Sequence, residues 1–563
     1  MDYTMARGTI PAIWERYPTI MDTADRALLE DIYSRLEPCI FTIGSTALIA
    51  GRAVRSTSAG HLLARYHSYL RHWITGHRTM VQDTTSGTDI DTSDVTIAYI
   101  GGGSRQWAPN LIQDLAQSDL DGQVRLYDEY YESAAQNARF GNWVQDQEGA
   151  VADWSYEATE SLEEALTGAD VVIISTQYNP AETFVHDLDI PQKYGIYGAV
   201  AATIGPGGIF RAMRTVPLYR QFAAAIRDYC PDAWVFNYTN PVHFVTRALC
   251  DEYPEINVLG LCHEVLGTRH RLARYAREYL DMDAERSDIS VNVKGINHFT
   301  WVDEARCKGV DLMPLIDELS ETEIAHEKFT WENLEGESVF DDNWQVTWEL
   351  YRRFGVLPAA GDRHLIEYAT WFMQGGQEGL NRWGVQRTGS DYRAKHWNPA
   401  ESQQTTDVEA WLSGEKEFEL TESNETFVDI LMALAGETTY VTNVNLPNVG
   451  QCADLQDDAV VETNALVTAG ELKPLAAGGF PRPVRSVIRG HIDTIETVIE
   501  ASRDGDVDYA FEGFLIDQQI RTLQTEDARE LFAELIVAEE KYLQEWDLEG
   551  SGVLAESSAY AGE

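Results

Sequence analysis

From Val95 onward the chain alternates short apolar runs with longer stretches in which apolar residues recur every three or four positions. Val95-Thr-Ile-Ala-Tyr-Ile is uninterrupted enough to predict a strand buried on both faces, and Gly-Gly-Gly-Ser follows it directly. Trp107 to Gln117 then has helical spacing, and Val124-Arg-Leu-Tyr-Asp128 reads as a second strand ending on a carboxylate. Three more strands follow: Asp170-Val-Val-Ile-Ile-Ser-Thr176, Ala233-Trp-Val-Phe-Asn237 and Val258-Leu-Gly-Leu-Cys262. Strands alternating with helical stretches predict an α/β fold, a doubly wound parallel sheet of Rossmann type like that of lactate and malate dehydrogenases. A C-terminal α+β domain for substrate binding and oligomerisation is expected after it. The predicted division is an atypical extension over 1–90, a dinucleotide domain over 91–265, the C-terminal domain over 266–535 and an acidic tail over 536–563.

The glycine turn predicts a dinucleotide site. Its physical requirements are a backbone close enough to hold pyrophosphate on helix-end N–H groups and a carboxylate for the ribose diol. Gly101, Gly102, Gly103 and Ser104 supply the turn, although Gln106 stands where the fingerprint has its third glycine. Asp128 supplies the acid and favours NAD over NADP, because it would repel a 2′-phosphate. Thr176 and Asn237 end neighbouring strands on the ligand side. Asn240, held extended by Pro241, can point its amide at a sugar or the nicotinamide, or can simply form an Asn-Pro turn.

Composition narrows the partners. There are 43 Lys+Arg against 91 Asp+Glu, a net charge of −48. Such a surface repels a phosphate backbone and an anionic membrane, and no run reaches the roughly 18 apolar residues that span a bilayer. Six cysteines at irregular spacing form no disulfide framework and fit a reducing cytoplasm. Lysine is scarce, 8 against 35 arginines, and a carboxylate-rich, lysine-poor surface suits molar salt, so a halophilic cytoplasm is expected. Residues 1–90 break this pattern: nine Arg, no Lys and nine acidic residues leave them neutral, and the rest of the chain carries the whole −48. The segment around His61 to Trp73 could be a docking arm, or sequence upstream of a natural start at Met80, followed by a polar linker from Val81 to Asp94.

Cys262-His-Glu-Val265 closes one strand, and Gly295-Ile-Asn-His298-Phe-Thr-Trp301 puts a histidine at the end of another apolar run. A thiolate and an imidazole can hold a divalent transition ion and leave positions open for substrate oxygens; the same two residues could equally be a buried Cys and a core His. With Ile100-Gly-Gly-Gly-Ser, Asn237-Tyr-Thr-Asn-Pro, Gly361-Asp-Arg-His364 and Asn445-Leu-Pro-Asn448 in the same order, the chain from about Val95 to Gln519 resembles family 4 glycoside hydrolases. These NAD-dependent enzymes stand apart from two-carboxylate glycosidases.

The resemblance implies NAD and Mn²⁺, or another divalent transition metal, as cofactors. It implies oxidation at sugar C3, deprotonation at C2, elimination of the C1 group, addition of water and re-reduction. By position Cys262 and His298 match the metal ligands, His263 the acid assisting the leaving group, Asp362 the base (some branches use a Tyr) and Asn240 a substrate-binding residue. The Cys-His-Glu-Val tetrad resembles the branch acting on α-linked uronic acids, with α-galacturonide favoured over α-glucuronide. Arg363 and Arg387 are candidates for the uronate carboxylate. The implied partner is a small uronic acid glycoside, and a homodimer or homotetramer is expected. Alternatives are an α-glucosidase or α-galactosidase of the same family, a lactate/malate-type dehydrogenase, or a non-catalytic NAD-binding sensor.

Because residues 1–79 lie outside both the acidic composition and the resemblance, a chain begun at Met80 should fold and bind NAD as the full chain does. Urea unfolding should place its stability within about 2 kcal/mol of the full chain. A larger loss, on the scale of a deleted core group, would assign the segment to the fold.

Overall fold

The computed structural model describes residues 85–87, 90–177, 181–322, 344–397, 403–423 and 425–560. The expectations for residues 1–79 lie outside the described residues. Among the described residues, the first strand comes earlier than expected. Within the supposed linker, β1 (Thr85–Ser86) pairs antiparallel with Glu471 and Leu472 at the far edge of the main sheet.

That sheet is built around β2 (Val95–Ile100), whose six residues are all buried, as its unbroken apolar run requires. β3 (Gly122–Tyr127) and β4 (Trp154–Thr159) lie on one side of it. β5 (Val171–Ile174), β6 (Trp234–Asn237) and β7 (Asn257–Gly260) lie on the other, all parallel. The order β4-β3-β2-β5-β6-β7 is doubly wound, with its switch point between β2 and β5. Helix α1 (Trp107–Ala116) buries Ala108, Leu111, Ile112, Leu115 and Ala116, a stripe at helical spacing. Two longer helices follow β5. They are α2 (Ala181–Lys193) and α3 (Gly205–Tyr229), and α3 buries nearly its whole first half. α4 (Glu264–Leu280) starts two residues after Cys262.

The hairpin of β8 (Ile289–Ile296) and β9 (Phe299–Cys307) starts a second sheet, joined by β10 (Val310–Asp311) and β11 (Leu357–Pro358). β11 pairs Leu357 with Val302 and Pro358 with Trp301, and Ala359 N–H donates to Thr300 O (2.9 Å). This register runs the following loop toward the tip of the β8–β9 hairpin. It also sets α6 (Asp362–Tyr368) after α5 (Gln345–Phe354).

The structure differs from the expected division at two places. β12 (Tyr440–Pro447), β13 (Val460–Thr468) and β14 (Glu471–Pro474) continue the first sheet antiparallel beyond β7, so the C-terminal half completes the dinucleotide sheet. Residues 536–560 are no tail. After α7 (Arg482–Asp504) and α8 (Thr525–Glu539), the side chains of Ile536, Leu543, Trp546 and Leu554 join the main core with residues of α3. Trp546 Nε1–H donates to Met213 O (2.9 Å), and buried Glu539 pairs with Arg214. Apart from Glu539, the acidic residues of this segment lie on its outer face, and they concealed an apolar inner one. No helix among the described residues is long and apolar enough to cross a membrane.

Candidate active site

At the switch point the glycine turn is clamped between two strand ends. The N–H groups of Gly101 and Gly102 both donate to Tyr127 O (2.9 Å each). Gly101 has φ +90°, and a Cβ there would lie 2.2 Å from Ser175 O; one on Gly103 would meet the Asp128 carboxyl at 2.8 Å. Ser104 Oγ accepts from Trp107 N–H (3.1 Å) at the start of α1. Asp128 accepts from Gly103 N–H through Oδ2 and from Tyr130 N–H through Oδ1, both at 2.9 Å, and burial raises its pKa. It therefore pins the loop while each oxygen keeps a further lone pair for a diol. A loop that side chains would obstruct, ending at a helix N-terminus beside a carboxylate, fits a dinucleotide. Thr176 N–H donates to Thr239 Oγ1 (2.8 Å). Asn237 departs from its expected cofactor role. It is fully buried, with Oδ1 accepting from Thr239 N–H (3.2 Å) and Tyr219 O–H (3.3 Å), and it braces the next strand end.

Cys262 and His298 reach the same edge from different sheets. His298 is the second residue of the two-residue turn joining β8 to β9, with φ +62°, a conformation that disfavours a side chain and that packing must hold. Its Nδ1 shares a hydrogen bond with Thr203 Oγ1 (3.0 Å), which leaves Nε2 to coordinate. Burial holds its pKa well below the ordinary value, so the ring is neutral, as a ligand must be. The preceding residue, Asn297, hydrogen-bonds the Cys262 sulfur through its side chain; burial, then Glu462 and Glu264, holds that thiol well above its ordinary range. A soft thiol and a neutral imidazole suit a transition ion that would displace the thiol proton. Among the described residues no group of three or more His, Cys, Asp or Glu is arranged for a metal. Two protein donors would leave the other positions to substrate.

The GDRH turn divides its roles differently from expectation. Asp362 is 1% exposed and accepts from Val346 N–H and Thr347 N–H (2.9 Å each) and Thr347 O–H (2.8 Å). Its carboxylate caps the start of α5, so it is a positioning residue with its lone pairs engaged, a poor fit to the expected base. Two residues on, His364 stacks on His298 with ring centroids 3.8 Å apart. Its Nδ1 is buried without a hydrogen-bond partner, and its Nε2 lies 3.6 Å from Glu264 Oε1. Glu264 Oε2 accepts from Gly361 N–H (2.5 Å), tying α4 to this turn.

Arg387 is also withdrawn from its expected role. It donates to Gly198 O (2.9 Å), Gln192 Oε1 (2.5 Å) and Leu188 O (3.2 Å), and so straps backbone together. Arg363 is buried and donates to Thr388 Oγ1 (2.9 Å). Asn240 Oδ1 is buried without a partner. His263 is open to solvent, its ring stacked near Trp107 and its Nδ1 3.7 Å from Glu425 Oε1. Sequence reasoning missed Glu264, His364 and Asn297 as individuals although all lie in the motifs quoted above. Glu462 carried no signal at all.

Comparison with known proteins places this arrangement. The family profiles "Family 4 glycosyl hydrolase" and "Family 4 glycosyl hydrolase C-terminal domain" match residues 96–278 and 293–520. An α-galacturonidase of Thermoanaerobacterium saccharolyticum is 39% identical over 477 residues, 82% of this chain and 99% of that protein. An α-galactosidase of Bacillus subtilis is 27% identical over 457 residues, 80% and 99% of the two chains. A crystal structure from Bacillus subtilis superposes with a TM-score of 0.73 at 37% identity, covering 79% of this chain and all of that one. A 6-phospho-α-glucosidase from gut microorganisms, crystallised with NAD and Mn²⁺, shares the fold at a TM-score of 0.66 and 20% identity, covering 80% of this chain and 99% of that one.

Buried Glu462 makes a pH prediction. Burial pushes its carboxyl up to about 7 against Asn297 and Asn443, above the unfolded value. A raised carboxyl stabilises the fold fully below its unfolded pKa and loses that contribution as pH rises through the folded one. In metal-free protein, raising pH from 5 to 8 should therefore cost roughly 3 kcal/mol through this group. Urea unfolding of Glu462→Gln should show a correspondingly shallower pH dependence, and slopes identical to wild type would refute the assignment.

Proposed function

The chain belongs to glycosyl hydrolase family 4, and on that footing we propose that it is an α-galacturonidase working with NAD⁺ and a divalent transition metal held by Cys262 and His298. The observation that carries this reading is the tie between the Cys262 sulfur and Asn297, the neighbour of the neutral, positive-φ His298 in the β8–β9 turn. Plain hydride transfer to a hydroxy acid has no use for such a pair. The preference for a galacturonide over a neutral galactoside is supported by the higher identity to relatives named α-galacturonidase.

When bound, NAD⁺ supplies reversible hydride chemistry at sugar C3 and the ion supplies Lewis acidity at the oxygen there, which together acidify the C2 proton. Gly101 to Gly103 and Asp128 hold the dinucleotide. Thr203 fixes the His298 ring. His364 Nδ1, buried without a partner, is placed to take the C2 proton; burial and then the Arg363 charge press its pKa down to about 3, so it does so only as a charge pair with Glu264. Glu264, 3.6 Å from its other nitrogen, balances the charge so formed. His263 sits at the solvent edge and delivers a proton to the departing oxygen, with Glu425 beside it. Asn240 Oδ1 accepts from a sugar hydroxyl.

Release of 4-nitrophenol from α-galacturonide, faster than from α-glucuronide, is expected in high salt with Mn²⁺, NAD⁺ and a thiol reductant. Cys262→Ser should lose turnover by at least ~100-fold while keeping its circular dichroism and NAD binding, because a hydroxyl is a poor substitute for a thiolate ligand. Full activity in that variant would remove Cys262 from the metal site.

Product formed in D₂O should carry deuterium at C2, read by NMR. Only protium there would exclude proton abstraction at that carbon.

A further inference from the structure

We infer that Glu425 is the positioning residue of the proton donor: it holds the His263 ring by Nδ1 and so turns Nε2 toward the departing oxygen. This deepens the proposed function and rests on its reaction. His263 Nδ1 and Glu425 Oε1 stand 3.7 Å apart, and the two side chains are 57% and 18% exposed. An imidazole at the solvent edge is a poor donor unless something fixes its orientation and its tautomer. A carboxylate at Nδ1 does both. A gap of this size closes by a small rotation of the exposed ring, as catalytic hydrogen bonds tighten once substrate is bound.

The carboxylate itself is held. Glu425 lies just before the helix Phe427–Leu434, at the end of a segment anchored on the dinucleotide half. Phe418 packs edge-on against Phe140 and Trp143, with centroids 5.8 and 5.1 Å apart. Thr421 O–H donates to Gln113 Oε1 (3.3 Å). Ser423 spans the Asp114 carboxylate, donating its N–H to Oδ1 (2.7 Å) and its O–H to Oδ2 (2.5 Å). Ser423 Oγ in turn accepts from Glu425 N–H (3.1 Å).

Gln113 and Asp114 belong to α1, the helix that opens at Trp107 beside the glycine turn. The Trp107 ring is backed by Tyr238 at 5.2 Å and stacks near His263, with centroids 6.2 Å apart and planes 28° apart. One helix therefore reaches His263 by two routes, through Trp107 and through the Asp114–Ser423 clamp on Glu425. Surface ion pairs contribute little when both side chains are free to move. Here one of the two is fixed.

The step served is loss of the group at C1. When the C2 proton is removed, its bonding pair stays on the sugar. That pair ends in the C1–C2 double bond as the C1–O pair leaves on the departing oxygen, which takes the proton of His263 Nε2. With the donor misplaced, C2 takes a proton back and the intact glycoside returns. Exchange at C2 without cleavage is the mark of a misplaced donor, whereas general structural damage slows both alike.

The test uses the full chain loaded with NAD⁺ and Mn²⁺ and follows methyl α-D-galacturonide in D₂O by NMR. Deuterium at C2 of the recovered glycoside is compared with product formed. Glu425→Gln should raise the ratio of exchange to cleavage at least ~10-fold, a modest share of what a positioned acid contributes. Glu425→Asp, which keeps the charge at shorter reach, should fall between. With 4-nitrophenyl α-galacturonide, whose phenolate departs without help, the ratio should stay within about threefold of wild type. An unchanged ratio on the methyl glycoside, or equal slowing of exchange and cleavage, overturns the role of Glu425. Ring-nitrogen NMR of the histidine-labelled chain, with NAD⁺ and diamagnetic Zn²⁺, tests the pair without turnover. Glu425→Gln should move the His263 signals, assigned by their loss in His263→Asn, and unmoved signals overturn the pair. Wild type that neither cleaves the galacturonides nor exchanges C2 overturns the functional reading, and moved His263 signals then leave the pair standing.

Discussion

Glu462, 1% exposed on β13, accepts from Asn443 (2.7 Å) and Asn297 (3.3 Å), and through these two amides it holds both metal-donor loops at once. Asn443 also reaches Cys262 O (3.4 Å), and Asn297 touches the Cys262 sulfur while forming the turn with His298. Tyr368 O–H closes the ring by donating to Asn297 O (2.7 Å). Two donors 36 residues apart in sequence thus become one site because a third strand, more than 160 residues further on, supplies the acceptor between them. A buried polar network of this kind is costly if incomplete, so it enforces a single arrangement.

The antiparallel extension of the sheet follows from the same need. A six-stranded dinucleotide sheet could end at β7, but Cys262 would then lie on an exposed edge. β12 and β13 cover that edge and bring Asn443, Asn445 and Glu462 beneath the strand end. The pairing of β11 with β9 delivers the second half of the site. Its register carries Gly361 to His364 past the hairpin tip, and the Asp362 cap on α5 locks the turn in place.

Charge of both signs is buried. Between α2, α3 and α6 the guanidinium groups of Arg211 and Arg393 flank Phe184, and the carboxylates of Asp187 and Glu367 are buried in the same region. The exposed carboxylates are screened by salt, whereas these buried groups are screened much less.

Although β4 and the strand order came from the tertiary structure, local pattern alone determined a parallel sheet and five of its six strands, the glycine turn with Asp128, and the candidacy of Cys262 and His298. Each of these rests on runs of a few residues, where apolar continuity or a positive-φ glycine leaves little choice. Tertiary structure decided which polar residue in a motif does which task. Asp362 and His364 are two positions apart in one turn, and only packing shows that the first faces the α5 backbone and the second faces His298. Arg387 and Arg363 look alike in sequence, yet three acceptors claim the former. Glu462, Arg211 and Arg393 sit in stretches with no local signature, because their partners come from distant strands and helices. The segment after residue 535 hid its buried face behind an acidic composition, since composition counts residues without regard to the side on which they point.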